Sequence, residues 1–286
     1  MAAGPIGSVL ATREERALLA AGALGGPLTI GMYTPLRNAI TLGAKDPTAS
    51  AAALYRLTVR HGWLRGGYAG WRSPTAFSAA QFVAIGPLYH VYADVVGPSL
   101  AVVPTALTES AISYGSQARN AQIAYNLSVG EARRVALQAP WDPRGAGFAA
   151  HVCRNLCAMS GIRVLSPPLR AMLGVDDGGA SPTALFAADF AASILAAAAS
   201  MPFNQLFNFL CTTPPSARPD GLLRACTSFL RSQYLTPSGG LSAVVLRDAF
   251  MRCAYIAPQL STYSAIERFA RQAARRADEQ SARSER

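Results

Sequence analysis

The sequence predicts an all-α membrane protein with six transmembrane helices. Of its 286 residues, 51% are hydrophobic and only 15% are charged, whereas soluble domains carry about 25% charged residues. Six apolar segments approach or exceed the length of about 20 residues that crosses a bilayer. The loops between them alternate between basic loops and loops that lack Lys and Arg. Composition, segment length and loop charge therefore point to the same class.

The fifth apolar segment is the most informative. It carries no charged residue from Phe190 to Ala217, and Pro202 stands late within it. A core helix of a soluble protein seldom stays uncharged on every face for this length, whereas a membrane bundle tolerates both the length and a proline kink. The alternative is a buried helix of a soluble Ala-rich enzyme, which the loop alternation disfavours.

The other segments follow the same plan with more polar residues. Segment one is uncharged, segment three contains Glu109, and segments four and six contain arginines. Ionisable residues within a span usually face the bundle interior or a wet cavity, so these are expected inside. The segments are Ala17–Leu36, Ser73–Ala93, Val95–Ala118, Phe148–Leu169, Phe190–Thr213 and Leu241–Ile266.

Loop charge predicts the orientation of the spans. Loops one, three and five carry Arg56, Arg133 and Arg224 among other basic residues, whereas the loops after segments two and four carry none apart from Arg170 at the border of segment four. Because positive loops stay on the side of insertion, loops one, three and five face one compartment and both termini face the other. The net charge is +10. The basic residues responsible for it lie between apolar segments, an arrangement that suits binding to anionic lipid better than binding to nucleic acid.

The sequence contains no recognisable set of catalytic, phosphate-binding or metal-binding residues. It contains no nucleophile–His–acid set, no Gly-rich phosphate loop before a helix and no metal cluster, so we expect no enzyme activity, no cofactor and no metal. The cysteines are expected to be mostly packing residues. The first ten residues carry no basic region, which predicts that there is no signal peptide.

The six segments group into three repeats. A glycine precedes each even segment: Gly70, Gly147 and Gly240. The corresponding positions late in the preceding odd segments are Pro35, Thr108 and Pro202. The separations between the two are 35, 39 and 38 residues. Each basic loop between them carries a short helical pattern. This spacing predicts three tandem helix–surface helix–helix repeats with pseudo-threefold symmetry. The repeats cover residues 17–95, 96–175 and 181–267, between an N-terminal segment 1–16 and a charged tail 268–286, and the surface helices are Pro47–His61, Ser128–Gln138 and Gly221–Tyr234.

This arrangement resembles the mitochondrial carrier family. The run His61–Trp71 is similar to the Gly-rich aromatic element that leads into an even helix of that family, and Tyr89 and Tyr263 resemble the aromatic residues late in even helices. The resemblance implies the mitochondrial inner membrane, with both termini in the intermembrane space. It also implies cardiolipin at the starts of the even helices, for which the candidates are Gly70, Trp71, Arg72, Gly147 and Gly240.

The gate motif of that family, Pro-x-Asp/Glu-x-x-Lys/Arg, is not intact. Its positions are filled by Pro35, Arg37 and Ile40 in repeat one, by Ser110 and Ser113 in the best register of repeat two, and by Pro202, Asn204 and Phe207 in repeat three. In the family these residues form an ion-pair ring that closes the matrix side. A second ring on the even helices also lacks its charges, because segment six offers no acid–base pair at that register.

Loss of both rings predicts a protein fixed in one state. We expect a structural or accessory subunit of a larger inner-membrane respiratory complex, with other membrane subunits as partners. The alternative is an active carrier that exchanges an anionic metabolite. By the resemblance, its substrate would contact Phe77, Arg154 and Arg247, and two arginines suit a carboxylate or phosphate. The simpler interpretation, which we favour because a buried charge needs a partner whatever the function, is that Arg154 pairs with a neighbouring segment and Arg247 with Asp248 or Glu109.

Overall fold

The computed structural model describes residues 12–175, 180–218 and 220–284. Within these residues every regular element is a helix, apart from an isolated bridge between Leu235 and Leu241. The all-α prediction is therefore confirmed, while residues 1–11 of the N-terminal segment and the last two of the tail lie outside the described residues. The α-helices are α1 (Arg13–Gly43), α2 (Ala51–Val59), α3 (Arg72–Val83), α4 (Tyr89–Val96), α5 (Pro98–Ser128), α6 (Phe148–Ser160), α7 (Ser166–Met172), α8 (Pro182–Cys211), α9 (Leu222–Tyr234) and α10 (Val244–Ser284).

The long helices form a closed ring. A π-helical turn, Ala84–Leu88, joins α3 and α4 into one rod, and the π turn Gly161–Leu165 joins α6 and α7. Together with α1, α5, α8 and α10, these two interrupted helices make six rods in the described chain. Each rod packs against its neighbours in sequence, and α10 packs back against α1. Helices α1, α5 and α8 also contact one another. The ring therefore encloses a central space that these three helices narrow at one end.

Small residues set how closely the first two rods approach. Helix α1 begins with a capping box between Thr12 and Glu15, which satisfies two of its free backbone donors. Gly22 and Gly26 then face α3, and a Cβ atom at Gly26 would lie 2.5 Å from the carbonyl oxygen of Ser78. Any larger residue at Gly26 would push the two helices apart, as at other small-residue interfaces of membrane helices.

The two interrupted rods break at equivalent points. Ala84 follows Gly70 by 14 residues, and Gly161 follows Gly147 by 14 residues, so the π turns begin at the same distance from the two glycines. Pro87 lies inside the first turn, where it removes a backbone donor. At the second turn a Cβ atom on Gly161 would lie 2.7 Å from Cβ of Ala196, so the bend also lets α8 pack closely.

The surface helices differ between the three loops. Helices α2 and α9 lie in loops one and five, as predicted, but the helix predicted over Ser128–Gln138 is wrong. Helix α5 continues to Ser128, and only a 3-10 turn, Glu131–Arg133, follows it. Asn126 exchanges two 2.8 Å hydrogen bonds with the backbone of Val135, and Gln122 accepts one from Gln138 N at 2.6 Å. These side chains hold the loop backbone extended in competition with helix formation.

Two helices, α1 and α8, are long and apolar enough to cross a membrane by length and composition. Six such helices were expected. Of the other rods in the part of the chain that the structure describes, two are divided by a π turn, α5 carries many buried polar residues, and α10 buries Asp248, Arg252 and Glu267.

The charged tail continues α10 without a break at residue 268. Its last turns lie beside the start of α1, where Arg13 Nη1 is 3.3 Å from Asp278 Oδ1 and Arg275 Nε is 3.2 Å from Glu14 Oε2. Ion pairs therefore join the two ends of the described chain.

Candidate functional site

The ring encloses a small polar cavity, which we call the central cavity. Its free volume is about 50 Å³, enough for a few water molecules. Apolar residues such as Ile30, Ile85 and Leu260 form part of its wall. The residues with polar side chains that line it are Arg37, Gln81, Glu109, Gln117, Arg154, Asn155, Asn204, Asn208, Arg252, Tyr255 and Gln259.

Three arginines from three different rods meet at this cavity. Arg37 Nη2 donates to the carbonyl of Gln117 at 3.2 Å, and Arg154 Nη1 donates to Asn204 Oδ1 at 3.0 Å. Arg252 Nε donates to Ser200 Oγ at 3.0 Å. All three side chains are buried, yet Arg37 Nη1 and Arg154 Nε lack a hydrogen-bond partner.

The positive charge of the cavity is only partly balanced. Three guanidinium groups face one carboxylate, Glu109, so the lining carries a formal excess of two positive charges. Among the described residues, no carboxylate lies within 4.0 Å of Arg37, Arg154 or Arg252. Buried charges usually require a partner. The arrangement is therefore chemically suited to an anion.

Four amide side chains and one hydroxyl close one end of the cavity. We call this cluster the amide seal (Asn38, Thr41, Gln117, Asn120 and Asn208). Asn120 Nδ2 donates to Asn38 Oδ1 at 3.2 Å and to the carbonyl of Ala69 at 2.7 Å. Thr41 Oγ1 donates to Asn208 Oδ1 at 3.4 Å. The seal ties α1, α5 and α8 together where these helices converge.

The contacts change the register assigned to the second repeat. Arg37 and Asn204 lie at the level of Gln117, which both Arg37 and Arg154 contact. Gly115, Gln117 and Asn120 therefore stand opposite Pro35, Arg37 and Ile40, and opposite Pro202, Asn204 and Phe207. Ser110 and Ser113 lie two helical turns away, beside Asn155 and His151. Helix α5 has no proline at this level, so the sequence alone offers no marker for it.

An ion pair closes the opposite end, between Arg163 of segment four and Glu267, the residue directly after segment six. Arg163 Nη2 donates to Glu267 Oε1 at 2.8 Å and to the carbonyl of Ile85 at 2.8 Å. The Arg163 guanidinium also lies 4.6 Å from the centroid of the Tyr89 ring. Glu267 lies one turn after Tyr263, just outside the bounds predicted for segment six.

A second buried carboxylate supports the same end. Asp189 of α8 accepts hydrogen bonds from Ser264 at 2.8 Å, from Arg170 Nε at 3.0 Å, and from Ser166 and Arg268. These donors come from α7 and α10. Asp189 therefore links three helices at the ion-pair end.

The expected substrate contacts do not meet. Arg154 lines the central cavity, but Arg247 lies apart from it, 2.8 Å from Asp248 and bonded to the carbonyls of Gly43, Asp46 and Ala49. Arg247 thus follows the alternative of a pair with Asp248. Phe77 lines a groove between α3, α5 and loop three instead, because α3 turns this side chain away from the ring interior.

That groove contains three of the lipid-binding candidates. Gly70, Trp71 and Arg72 line a cavity of about 830 Å³ together with Arg65, Arg119 and Trp141. Gly147 is buried, and a Cβ atom there would lie 3.4 Å from Cys211 and Phe207, whereas Gly240 is exposed in a turn. The three positions therefore differ in surroundings, and the first offers a wide apolar groove with cationic residues.

Sequence reasoning missed several polar residues of the cavity. Gln81, Gln117, Asn155 and Gln259 were not singled out, and Arg252 was noted only as a charge in segment six. Their common signal is an amide or guanidinium within an apolar segment, which usually faces a bundle interior.

Lys45, the only lysine of the sequence, lies just beyond α1 at the amide-seal end. Its Nζ donates to Thr213 Oγ1 and lies 5.0 Å from the Phe209 ring centroid and 5.4 Å from that of Tyr125. Burial, with a smaller contribution from the charge of Arg218, lowers the pKa of Lys45 to about 8. Within the described residues no group of His, Cys, Asp and Glu is arranged to hold a metal ion.

No protein-family model and no curated protein matches this sequence.

Proposed function

We propose that this chain is a six-span protein of the mitochondrial inner membrane with a carrier-like fold, held in one closed conformer, and that it serves as a structural subunit of a larger membrane assembly. One observation carries the proposal. The central cavity has about 50 Å³ of free space and is closed at both ends, by the amide seal and by Arg163–Glu267. That volume holds a few water molecules or a small oxyanion, whereas a nucleotide does not fit.

Several features support six spans in three repeats. The rods close into a ring in sequence order, and the π turns of α3–α4 and α6–α7 begin at the same distance from Gly70 and Gly147. The apolar helices α1 and α8 support insertion into a membrane. The alternating loop charges support placing Arg56, Arg133 and Arg224 on the matrix side, with both termini in the intermembrane space.

The chemistry of the two closures favours a fixed state. The amide seal bonds to backbone carbonyls of the loop at Ala69 as well as between helices. At the other end, buried carboxylates hold arginines from neighbouring rods. Alternating access requires one end to open while the other closes. Here both ends are closed at once, each by hydrogen bonds or ion pairs between different rods.

The outer faces of the ring offer surfaces for lipid and for partner helices. Leu24, Leu28 and Met32 repeat every four residues on α1 and are 75%, 58% and 54% exposed. Phe250 and Leu246 do the same on α10. Exposed apolar stripes of this kind suit a bilayer or a neighbouring subunit. The groove at Trp71 and Arg72 suits an anionic lipid such as cardiolipin.

Migration on native gels tests the proposal directly. Mitochondrial membranes solubilised in a mild detergent should release the chain together with a large assembly, and the purified chain should transport nothing in proteoliposomes. Migration as a free monomer with saturable exchange of a solute would contradict it.

An anion carrier is the second candidate, and the excess positive charge of the central cavity favours it. Under that alternative, proteoliposomes should exchange phosphate, a carboxylate or a nucleotide, and Arg154→Ala should abolish exchange. Arg144→Ala is the matched control, since Arg144 lies on the surface with its side chain 88% exposed. Equal loss in both variants would rule out a specific role for Arg154.

A further inference from the structure

A carboxyl, a hydroxyl and an imidazole form a hydrogen-bonded chain at the edge of the central cavity. Ser113 Oγ lies 2.9 Å from Glu109 Oε1 and 2.8 Å from His151 Nε2. All three side chains are buried, and of the three only Glu109 lines the cavity itself. Neither closure of the ring uses them.

We infer that Glu109, Ser113 and His151 form a proton-binding site that is coupled to the binding of a small anion by Arg37, Arg154 and Arg252. The inference concerns the central cavity alone, so it holds whether the protein is a structural subunit or a carrier. The free volume of about 50 Å³ restricts the anion to a small oxyanion such as sulfate or phosphate.

The hydrogen-bond chain has two states that differ by one proton. The Ser113 hydroxyl carries a single hydrogen, so it donates to only one of its two neighbours. When Glu109 is ionised, Ser113 donates to it and accepts from Nε2–H of neutral His151. When Glu109 is protonated, it donates to Ser113, which then donates to His151 Nε2.

His151 is free to adopt either tautomer. In the protonated state of the site its ring hydrogen moves to Nδ1, and in the ionised state Nδ1 carries only a lone pair. Nδ1 is buried and has no hydrogen-bond partner in the structure. No bond on that side fixes the tautomer, but an Nδ1–H group without an acceptor is disfavoured, so the state with ionised Glu109 is favoured until an anion draws on the guanidinium groups.

The coupling follows from competition for the same positive charges. Ionised Glu109 and a bound anion would both draw on the three guanidinium groups that line the cavity. Two negative charges in one buried site disfavour each other, and protonation of one carboxylate relieves the repulsion. Anion binding therefore promotes proton uptake by Glu109. By reciprocity, protonation of Glu109 strengthens anion binding.

The groups that face this site come from every helix packed against it. Helices α1, α6 and α10 contribute Arg37, Arg154 and Arg252, and α10 also contributes the phenol of Tyr255, while the lining residues of α3 and α8 are uncharged. Around His151 lie the ring of Phe207, at a centroid distance of 5.1 Å, and the ring of Tyr114, at 5.7 Å, with the Cys211 thiol in the same buried cluster. Glu109 is thus the carboxylate of the cavity lining.

Calorimetry with sulfate tests the inference on the purified chain in lipid nanodiscs. Sulfate stays fully ionised near neutral pH, so any proton taken up belongs to the protein. Titrations in two buffers with different ionisation enthalpies give the number of protons bound with each sulfate. We expect net uptake of up to one proton. Sulfate binding without proton uptake, or no sulfate binding at all, would overturn the inference.

Variants assign the uptake to its residue. Glu109→Gln should bind sulfate at least as tightly as the wild type but take up no proton, and Glu131→Gln, which changes an 89% exposed carboxylate, should behave as the wild type. Proton uptake that persists in Glu109→Gln would reject the assignment. Should Glu109→Gln not fold, infrared difference spectra of the wild type serve instead. Sulfate should then produce the C=O stretch of a protonated carboxyl, and its absence would reject the site.

Discussion

Arg163 and Glu267 form a buried ion pair that joins two rods of the ring, with 2.8 Å between Nη2 and Oε1 and side chains only 10% and 6% exposed. The pair lies at the end opposite the amide seal, and the ring of Tyr89 brings α4 into the same contact. One guanidinium therefore connects three even rods at once.

Removing the carboxylate of this pair should destabilise the fold strongly. Glu267→Gln leaves the Arg163 guanidinium buried without a counter-charge, and breaking a buried pair in this way costs about 3–5 kcal/mol. Thermal unfolding in detergent should show a large fall in the midpoint temperature. The double variant Arg163→Met with Glu267→Met should be less destabilised than Glu267→Gln. A wild-type midpoint in Glu267→Gln would show that the pair contributes nothing.

The amide seal should respond to loss of a single donor. Asn120→Leu removes the donor to Asn38 Oδ1 and one of the two donors to the carbonyl of Ala69, and leaving a buried acceptor unpaired costs about 1–3 kcal/mol. Denaturant unfolding should show this loss. Replacing Asn38 as well removes the orphaned acceptor itself. The double variant should therefore lose less than the sum of the two single variants, and strict additivity would contradict a direct contact.

Lys45 should make the stability of the fold depend on alkaline pH. Its pKa falls from 10.5 to about 8 in the folded chain, so between these values the unfolded chain holds a proton that the folded chain has released. The free energy of unfolding should therefore rise with pH across this window, and the full cost of burying the charge applies below it. Lys45→Met should remove the slope, as measured by denaturant unfolding at several pH values.

The same lysine offers a direct readout, because it is the only one in the sequence. An amine-acylating reagent reacts with the neutral form, so modification of Lys45 should reach half its maximal rate near pH 8. A half-maximum near 10.5, the ordinary value for lysine, would contradict the effect of burial.

Protease accessibility should distinguish the two compartments. With both termini in the intermembrane space, protease added to intact mitoplasts should cleave the arginine-rich end of α10 and leave loop three, with exposed Arg133, intact. Detergent should then expose loop three, which controls for intrinsic cleavability. Protection of the C-terminal end with cleavage at Arg133 would reverse the orientation.

The groove at the start of α3 should retain anionic lipid. Arg72→Ala removes a cation from the groove and should lower the amount of cardiolipin that co-purifies, as counted by native mass spectrometry. Arg224→Ala, which changes a 75% exposed arginine on α9, is the matched control. Equal cardiolipin in both variants and the wild type would contradict a lipid site at Arg72.

Much of the helical plan was predictable because it depends on local chemistry. Helices α1 and α8 were evident from their uncharged runs, and α2 and α9 from short helical patterns in basic loops. Loop three was not, because its extended backbone depends on Asn126 and Gln122 of α5, which lie outside the loop itself. The helix propensity of residues 128–138 does not include the effect of those hydrogen bonds.

The central cavity was only partly predictable for a similar reason. Arg154 was expected from its distance to Gly147, and Arg37 from the altered gate motif. Arg252 and Gln117 depend on how the rods rotate when the ring closes, which no single segment encodes. Glu267 was missed because its partner, Arg163, lies 104 residues away, and neither residue stands in a recognisable motif.

The contacts of Arg13 with Asp278 and of Arg275 with Glu14 have a consequence for chain connectivity. They hold the first and last helices side by side. The ring is therefore closed by contacts between rods, and it does not depend on which two rods carry the ends of the chain. A circular permutant, with a short linker joining the natural ends and new ends opened at the exposed Glu131–Arg133 turn, should close the same ring. New termini are tolerated best at exposed loop tips of this kind.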